Sequence, residues 1–200
     1  IHGDDTGLIL PPDVAPIQIV IVPIIFKGKE KMVLDVCHNV AESLKDKGLR
    51  VHVDQREINP GNKFYDWELK GVPIRIEIGP RDVENNQVVM VPRDTKEKMN
   101  VVTDEIVHTA SLSLDELSHR LLKRSEKLLE ENTYILIDIE EAKKYNGIIQ
   151  LPWCGTDSCA LEVEEILDGN TLGEPIEMDE SITEKQCISC GKQAKTWMRF

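Results

Sequence analysis

The sequence predicts an α/β protein in which a sheet flanked by helices is followed by a small metal-binding α/β module. Two observations predict this class. Apolar, β-branched runs alternate with helical periodicity over residues 17–131, and four of the five cysteines lie in two short pairs over residues 154–190. A chain of 200 residues with 40% apolar content suits one large domain or two small ones and supplies enough side chains for a core.

The first three elements form one strand–helix–strand unit. Residues 17–25 are almost continuously β-branched, which is typical of a central strand covered on both faces. A helix is predicted over 29–46 and ends at Gly48, and a second strand follows over 49–54. A connection of this length predicts that the two strands are parallel. The apolar face of the helix, which would make its cysteine a core thiol rather than a reactive one, comprises Met32, Val33, Val36, Cys37, Val40 and Leu44.

A short helix and an alternating strand come next. The Pro60-Gly61 turn precedes a helix over 63–70, and residues 73–78 alternate between apolar and charged side chains. This alternation places the isoleucines inward and Arg75 and Glu77 on the other face.

The remaining elements complete the first domain and begin the second. Residues 79–82 are predicted as a turn, 87–93 as a strand and 103–131 as a helix. The sheet domain is expected to end near residues 118 to 130. Strands over 134–139 and 147–151 open the terminal module. The long helix is expected to contribute core contacts through Leu114, Leu117, Leu121, Leu128 and Leu129.

The cysteine pairs predict a zinc site. They have C-x4-C and C-x2-C spacing and are separated by 27 residues, so each short loop supplies two thiolates to one tetrahedral ion. Gly191 follows the second pair where the backbone must turn sharply. Four sulfurs leave no open position, so the zinc is expected to be structural. The ligands are Cys154, Cys159, Cys187 and Cys190.

Two disulfides in a secreted domain are the alternative interpretation of these cysteines. We disfavour it because the N-terminus shows no signal peptide and a fifth cysteine would stay unpaired. Free cysteines without a targeting segment predict a cytoplasmic protein. No apolar run approaches the roughly 18 residues that span a membrane, so no membrane association is expected.

The charge of the chain is unevenly distributed. The formal net charge is −12, which by itself argues against a nucleic-acid partner. However, residues 145–184 contain no Lys or Arg, and ten carboxylates lie between Asp157 and Glu184. The other residues are close to neutral, so the objection applies mainly to the C-terminal third. We interpret the acidic segment as a solvated face.

Three charged side chains are candidates for reading a nucleic-acid base. Glu68 ends a predicted helix beside the strand that carries Arg75, and Arg81 follows in the next turn, so the three are expected to converge at one sheet edge. A carboxylate accepts from ring N–H and exocyclic amine groups, and arginine donates in a planar fork. Unpaired RNA bases are the usual targets of such groups. A surface salt-bridge cluster is the alternative on chemistry alone.

The same segment resembles a known family. Trp67 to Arg75 (WELKGVPIR) and Glu77 to Asp82 (EIGPRD) are similar to the anticodon-binding domain of prolyl-tRNA synthetases of the archaeal and eukaryotic type. His2 to Pro12 (HGDDTGLILPP) resembles the junction that follows the catalytic domain, and the cysteines resemble those of the zinc-bearing terminal domain. The resemblance divides the chain into a junction remnant (1–14), an anticodon-binding domain (15–118) and a zinc-binding domain (119–200).

The resemblance implies both a fold and a function. The anticodon-binding domain would contain a mixed five-stranded sheet flanked by helices, and Glu68, Arg75 and Arg81 would contact the guanines of a proline anticodon. Lys96 and Lys98 are candidates for phosphate contacts, with a solvated loop as the alternative. The partner would be tRNA(Pro).

The family's catalytic core, which uses ATP and Mg²⁺ to ligate proline to tRNA, would lie upstream, with His2 and Asp4 as its remnant. The full enzyme would be a homodimer, and this chain alone would be inactive. Two alternatives remain open: a stand-alone RNA-binding accessory module that reuses the fold, and a zinc-dependent hydrolase, which would need an open metal position and a general base.

Overall fold

The chain forms two units, residues 1–125 and 126–200, in the computed structural model, which describes residues 2–176 and 180–200. The division falls within one long helix, between residues 125 and 126. The first unit contains, in order, β1 Gly3–Asp4, β2 Gly7–Leu8, β3 Ile19–Pro23, α1 Glu30–Lys45, β4 Val51–Val53, α2 Pro60–Leu69, β5 Ile74–Ile78, α3 Pro80–Glu84, β6 Gln87–Pro92, β7 Met99–Val102 and the start of α4 Ile106–Glu131.

The five-stranded sheet of the first unit is mixed, as the family resemblance implied. Its strand order is β4-β3-β5-β6-β7. The first three of these strands are parallel, because helices α1 and α2 return the chain to the same edge, and β6 and β7 continue antiparallel. Sequence reasoning located four of the strands and missed β7. A separate hairpin, β1–β2, precedes the sheet.

The central strand β3 is completely buried because helices cover both of its faces. Ile19 and Ile21 belong to the main core with side chains of α1 and α4, whereas Val20 and Val22 pack against Trp67 of α2 and its neighbour Val72. The continuous apolar run predicted this two-sided burial. Burial also raises the pKa of the Cys37 thiol to about 12, which confirms a core cysteine rather than a reactive one.

Three predicted core positions were wrong. Met32 is exposed at the edge of α1, and the buried face of that helix contains Ala41 instead. Leu128 and Leu129 are also exposed, since the buried face of α4 ends at Leu121. Helical periodicity fixes a face but does not show how far along the helix a partner covers it.

The predicted turn at residues 79–82 is in fact the start of a helix. Pro80 occupies the first turn of α3, and the Gly79 amide donates to the Asp82 carboxylate across 2.8 Å. This is the hydrogen bond that an acidic residue in the first turn makes back to the cap.

The second unit is a small α/β module. It contains the end of α4, then β8 Thr133–Ile135, α5 Ile139–Ala142, β9 Ile148–Trp153, α6 Asp157–Leu167 and β10 Thr196–Arg199, with strand order β10-β9-β8. The predicted strand over 134–139 is therefore too long. The strand β8 ends at Ile135, and Asp138 then caps α5, with its carboxylate accepting from the Glu141 amide.

The acidic segment is not merely a solvated face. Its first part forms α6, which buries Cys159, Ala160 and Val163 against the second core while its carboxylates face outward. Residues 177–179 of the segment lie outside the described residues. In the part of the chain that the structure describes, no helix is both long and apolar enough to cross a membrane.

A buried carboxylate joins β4 to α2. Asp54 follows β4, and its side chain accepts hydrogen bonds from the Arg56 guanidinium at 2.7 and 2.9 Å and from the Trp67 indole at 2.8 Å. The buried Lys63 ammonium donates to the Asp54 carbonyl at 2.9 Å. Burial pushes the pKa of Asp54 upward, but the hydrogen bonds from Arg56 and Trp67 outweigh it and hold that pKa below its usual range.

We expect Asp54→Asn to lower the free energy of unfolding at pH 7 by about 2 kcal/mol, because charged hydrogen bonds are lost. Since the pKa of Asp54 is lower in the folded state, its stabilisation is complete above the unfolded value of about 3.9 and is lost progressively as the pH falls from there through the lower folded-state pKa. Urea unfolding of both proteins from pH 7 to about pH 2.5 tests this, with the exposed Asp115→Asn as control. An equal loss at every pH would contradict a role for the charge.

Candidate functional site

The first candidate site lies where α2 meets β5. Glu68 is in the last turn of α2, and its carboxylate accepts from Arg75 Nη1 at 2.6 Å. Arg75 Nε donates to Glu77, two residues along the same face of β5, at 3.1 Å. Lys98 Nζ donates to the second oxygen of Glu77 at 2.9 Å. The structure thus brings Glu68 and Arg75 together and adds two further charges.

The exposed fraction of the side chains in this network increases from the protein interior to the surface. The side chains of Glu77, Arg75 and Glu68 are 4%, 11% and 26% exposed. The Arg75 guanidinium also lies 4.2 Å from the centre of the Phe64 ring, a cation–π contact. Arg75 is therefore held on three sides, while Glu68 lies at the solvent rim.

Sequence reasoning missed Phe64 as part of this site. The signal was present, because Phe64 precedes Glu68 by four residues and side chains at that spacing share a helix face. Glu77 was recognised as outward-facing but not as the partner of Arg75.

The space behind the pair is too small for a base. Trp67, Glu68, Arg75 and Arg93 line a cavity of about 10 Å³, which is room for about one water molecule. A base could therefore engage these side chains only from the solvent rim, by exchanging for one partner of the Glu68–Arg75 ion pair. The carboxylate would accept from N–H groups and the guanidinium would donate to carbonyl or N7 acceptors.

Arg81 does not converge with Glu68 and Arg75. Helix α3 begins where β5 ends and carries Arg81 beyond the strand, where it is exposed and lines a different pocket of about 630 Å³ with Phe26 and Lys29. The expected three-residue cluster is thus a pair, with the second arginine at a separate place on the same unit.

The two candidate phosphate contacts have partners within the protein. Lys98 pairs with Glu77, and Lys96 Nζ lies 3.0 Å from the Thr6 hydroxyl and 3.4 Å from the Asp4 carboxylate. Both ammonium groups nevertheless remain partly exposed.

The two proposed catalytic remnants lie in or beside the β1–β2 hairpin. His2 is exposed, and its carbonyl accepts from the Ile9 amide at 2.8 Å. Asp4 is bound by the Arg93 guanidinium at 2.7 and 2.8 Å, and these hydrogen bonds hold the pKa of Asp4 well below its usual range. Asp4 is thus engaged within the first unit.

The second candidate site is the cysteine cluster of the second unit. The four sulfur atoms lie within 4.8 Å of one another, and Cys154 Sγ is 3.7 Å from the sulfurs of Cys159 and Cys190. A tetrahedral ion with metal–sulfur bonds near 2.3 Å places its ligands about 3.8 Å apart. The donors present therefore fit a metal ion.

Local structure positions each sulfur. Cys154 directly follows β9 and Cys159 lies in the first turn of α6. Cys187 and Cys190 belong to a tight turn closed by the hydrogen bond from the Gly191 amide to the Cys187 carbonyl at 2.9 Å. Gly191, where the sequence predicted a sharp turn of the backbone, has φ +69°, a left-handed conformation that favours glycine.

The sulfur geometry bears on two alternative interpretations of the cysteines, namely two disulfides and the open zinc site of a hydrolase. All five cysteines are free, and sulfur separations of 3.7 Å exceed the roughly 2.05 Å of a disulfide bond. The Thr156 hydroxyl, 3.4 Å from the sulfur, lowers the pKa of Cys154, the cysteine whose sulfur lies 3.7 Å from those of Cys159 and Cys190. Four thiolates would leave no open position for an activated water.

Comparison with known proteins gives matches in both units. Residues 18–113 match the model of an anticodon binding domain, and residues 137–200 match that of a prolyl-tRNA synthetase C-terminal domain. Similar curated proteins are the proline–tRNA ligases of Thermococcus kodakarensis and Pyrococcus abyssi, 48% and 45% identical over 100% of this chain and 43% of each relative. That of Methanosarcina mazei is 42% identical over 98% of the chain and 41% of the relative. The chain thus spans less than half the length of these relatives.

We expect Cys159→Ser to abolish retention of a bound metal ion and to loosen the second unit, because structural metal sites contribute folding free energy. Metal content by atomic emission and hydrogen exchange over 148–200 test this. The matched control is Cys37→Ser, which removes the cysteine outside the cluster and should leave the metal content unchanged. Retention of metal by Cys159→Ser would refute the assignment of this ligand set.

Proposed function

We propose that this chain, a member of the prolyl-tRNA synthetase family, supplies the anticodon-reading and zinc-binding part of a proline–tRNA ligase. The observation that carries the proposal is the Glu68–Arg75 pair at 2.6 Å, which presents a carboxylate and a guanidinium at one rim within the anticodon-binding domain. The corresponding partner is tRNA(Pro).

The chemistry of guanine suits this pair. A guanine offers N–H donors that Glu68 accepts and O6 and N7 acceptors to which Arg75 donates. Proline anticodons share two guanines, so one type of base accounts for both side chains. The Phe64 ring and the Glu77 carboxylate support this role because they fix the plane of the Arg75 guanidinium before a base arrives.

A second region of the same unit is proposed to contribute contacts outside the pair. Arg81 lines the separate pocket that also contains Phe26 and Lys29, and it remains exposed, which suits an acceptor on a base or a phosphate. Lys96 and Lys98 are proposed to add phosphate attraction through their partly exposed ammonium groups. Such contacts strengthen binding without reading sequence.

Zinc is the metal that we propose for the cysteine cluster. Four thiolates at tetrahedral spacing favour zinc over harder ions such as Mg²⁺. Its role would be structural: the ion would hold Cys154, which follows β9, and Cys159 of α6 to the Cys187–Cys190 turn.

The ligation chemistry is proposed for the whole protein. In this proposal, proline activation with ATP and Mg²⁺ takes place in a domain that the present 200 residues do not include. A cytoplasmic homodimer is the proposed form of the full enzyme.

The proposed recognition of the anticodon predicts that the affinity for tRNA depends on the two anticodon guanines. A proline tRNA should bind this chain at least about 30-fold more tightly than the same tRNA with both anticodon guanines replaced, because each good base contact contributes about 1–3 kcal/mol of discrimination and about 1.4 kcal/mol is a factor of ten. Glu68→Gln should remove most of this difference while leaving Arg75 paired with Glu77. Salt-titrated binding of both tRNAs to both proteins measures it.

The control variant is Glu105→Gln, which removes the same charge from an exposed position before α4. It should bind both tRNAs as the unmodified chain does. Equal affinity of the unmodified chain for both tRNAs would mean that binding is only phosphate attraction, and the proposal would fail.

The 200-residue chain alone is expected to show no proline-dependent exchange of pyrophosphate into ATP, because the proposed activation chemistry belongs to another domain. Exchange above that of a protein-free blank would contradict this division of labour. The anticodon-binding measurement above serves as the control that the chain used is folded.

A further inference from the structure

A buried arginine joins the N-terminal hairpin to the site. Arg93 follows β6 and its side chain is only 1% exposed. Its two terminal nitrogens donate to the two oxygens of Asp4 at 2.8 and 2.7 Å, a bidentate pair. The Thr6 amide and hydroxyl donate to the same carboxylate at 2.9 and 2.7 Å. Asp4 is therefore held in a single orientation.

The same guanidinium reaches the site itself. Arg93 Nε donates to the backbone carbonyl of Glu68 at 3.1 Å. Glu68 lies one residue before the end of α2, and its carbonyl also accepts from the Gly71 amide at 3.0 Å, so Arg93 supplies a second donor to this end of the helix. One planar group thus connects Asp4 to the helical turn whose carboxylate contacts Arg75.

The hairpin backbone packs against the same turn. A Cβ atom added to Gly7 would lie 2.4 Å from Leu69 Cα and 2.8 Å from the Glu68 carbonyl oxygen, so only glycine permits this approach. On the other side, a Cβ on Gly71 would lie 2.6 Å from the Leu8 side chain. The end of α2 is therefore confined by the hairpin as well as by Arg93.

We infer that Asp4 is a positioning residue for anticodon reading, which orients Glu68 through Arg93. This inference rests on the proposed function and adds a residue from outside the matched anticodon-binding region, residues 18–113. Asp4 orients the fork of Arg93, and Arg93 fixes the last turn of α2. The Glu68 carboxylate is consequently presented to a base in one geometry.

The test is Asp4→Asn in the 200-residue chain. Its affinity for a proline tRNA is compared with its affinity for the same tRNA with both anticodon guanines replaced. The ratio of the two affinities should fall at least five-fold. Asp4 also lies 3.4 Å from Lys96, a proposed phosphate contact, and a change there alters the binding of both tRNAs alike, so the ratio and not the absolute affinity is the readout. The matched control is Asp5→Asn, the exposed neighbouring carboxylate, which should keep the original ratio.

A second variant probes the connection itself. Arg93→Lys keeps the charge but has one nitrogen, so it cannot contact Asp4 in two places and Glu68 at once. It should lower the ratio to a similar degree, and the double variant should lower it no further than either single change, since both interrupt the same connection.

The outcomes separate this inference from the proposed function. If Asp4→Asn lowers the melting temperature but leaves the affinity ratio intact, Asp4 has only a structural role and the inference is overturned. If the unmodified chain itself fails to distinguish the two tRNAs, the proposed function falls and this inference falls with it. A reduced ratio for Asp4→Asn but not for Asp5→Asn supports the inference.

Discussion

The buried carboxylate of Glu77 is the constraint on which the polar face of the first unit depends. A charge on a central strand, 4% exposed, is costly unless it is paired. Glu77 therefore holds Arg75 and Lys98, and Arg75 in turn holds Glu68. The apolar face of the same strand packs into the main core, so a rigid hydrophobic sheet supports this charged row. The geometry of the site follows from the need to neutralise one interior charge.

Local signals predicted much of this fold. The β-branched run of β3 identified a central strand, and the spacing of the cysteines predicted the ligand cluster, because the two sulfurs of each pair lie close together in sequence. β7 escaped notice since it is an edge strand: Met99, Asn100 and Val102 are exposed, so its pattern lacks an apolar face. Helix α3 was mistaken for a turn because Gly-Pro signals both a turn and the first residues of a helix.

The remaining parts of the site could not have been predicted from local pattern. The ion pair between Asp4 and Arg93 joins residues 89 positions apart, and nothing in either neighbourhood specifies the other. Arg81 was placed with Glu68 and Arg75 because all three lie in one short stretch of sequence. Strand β5 separates Arg81 from Glu68 in space, although the two residues are close in sequence. Which charges meet is decided by the three-dimensional path of the chain rather than by distance along it.

The closed ion pair between Glu68 and Arg75 has a consequence for the rejection of wrong bases. Any base that enters must separate two charges that already satisfy each other. A guanine would compensate both, whereas a base with the opposite arrangement of donors and acceptors would leave the Glu68 carboxylate without its partner and Arg75 with only Glu77 as its anion. Sites that depend on such exchange exclude imperfect ligands more strongly than they attract the correct one. Discrimination at this rim would therefore come from the free-energy cost of binding a wrong base. The ion pair that sets this cost is already formed before any RNA binds.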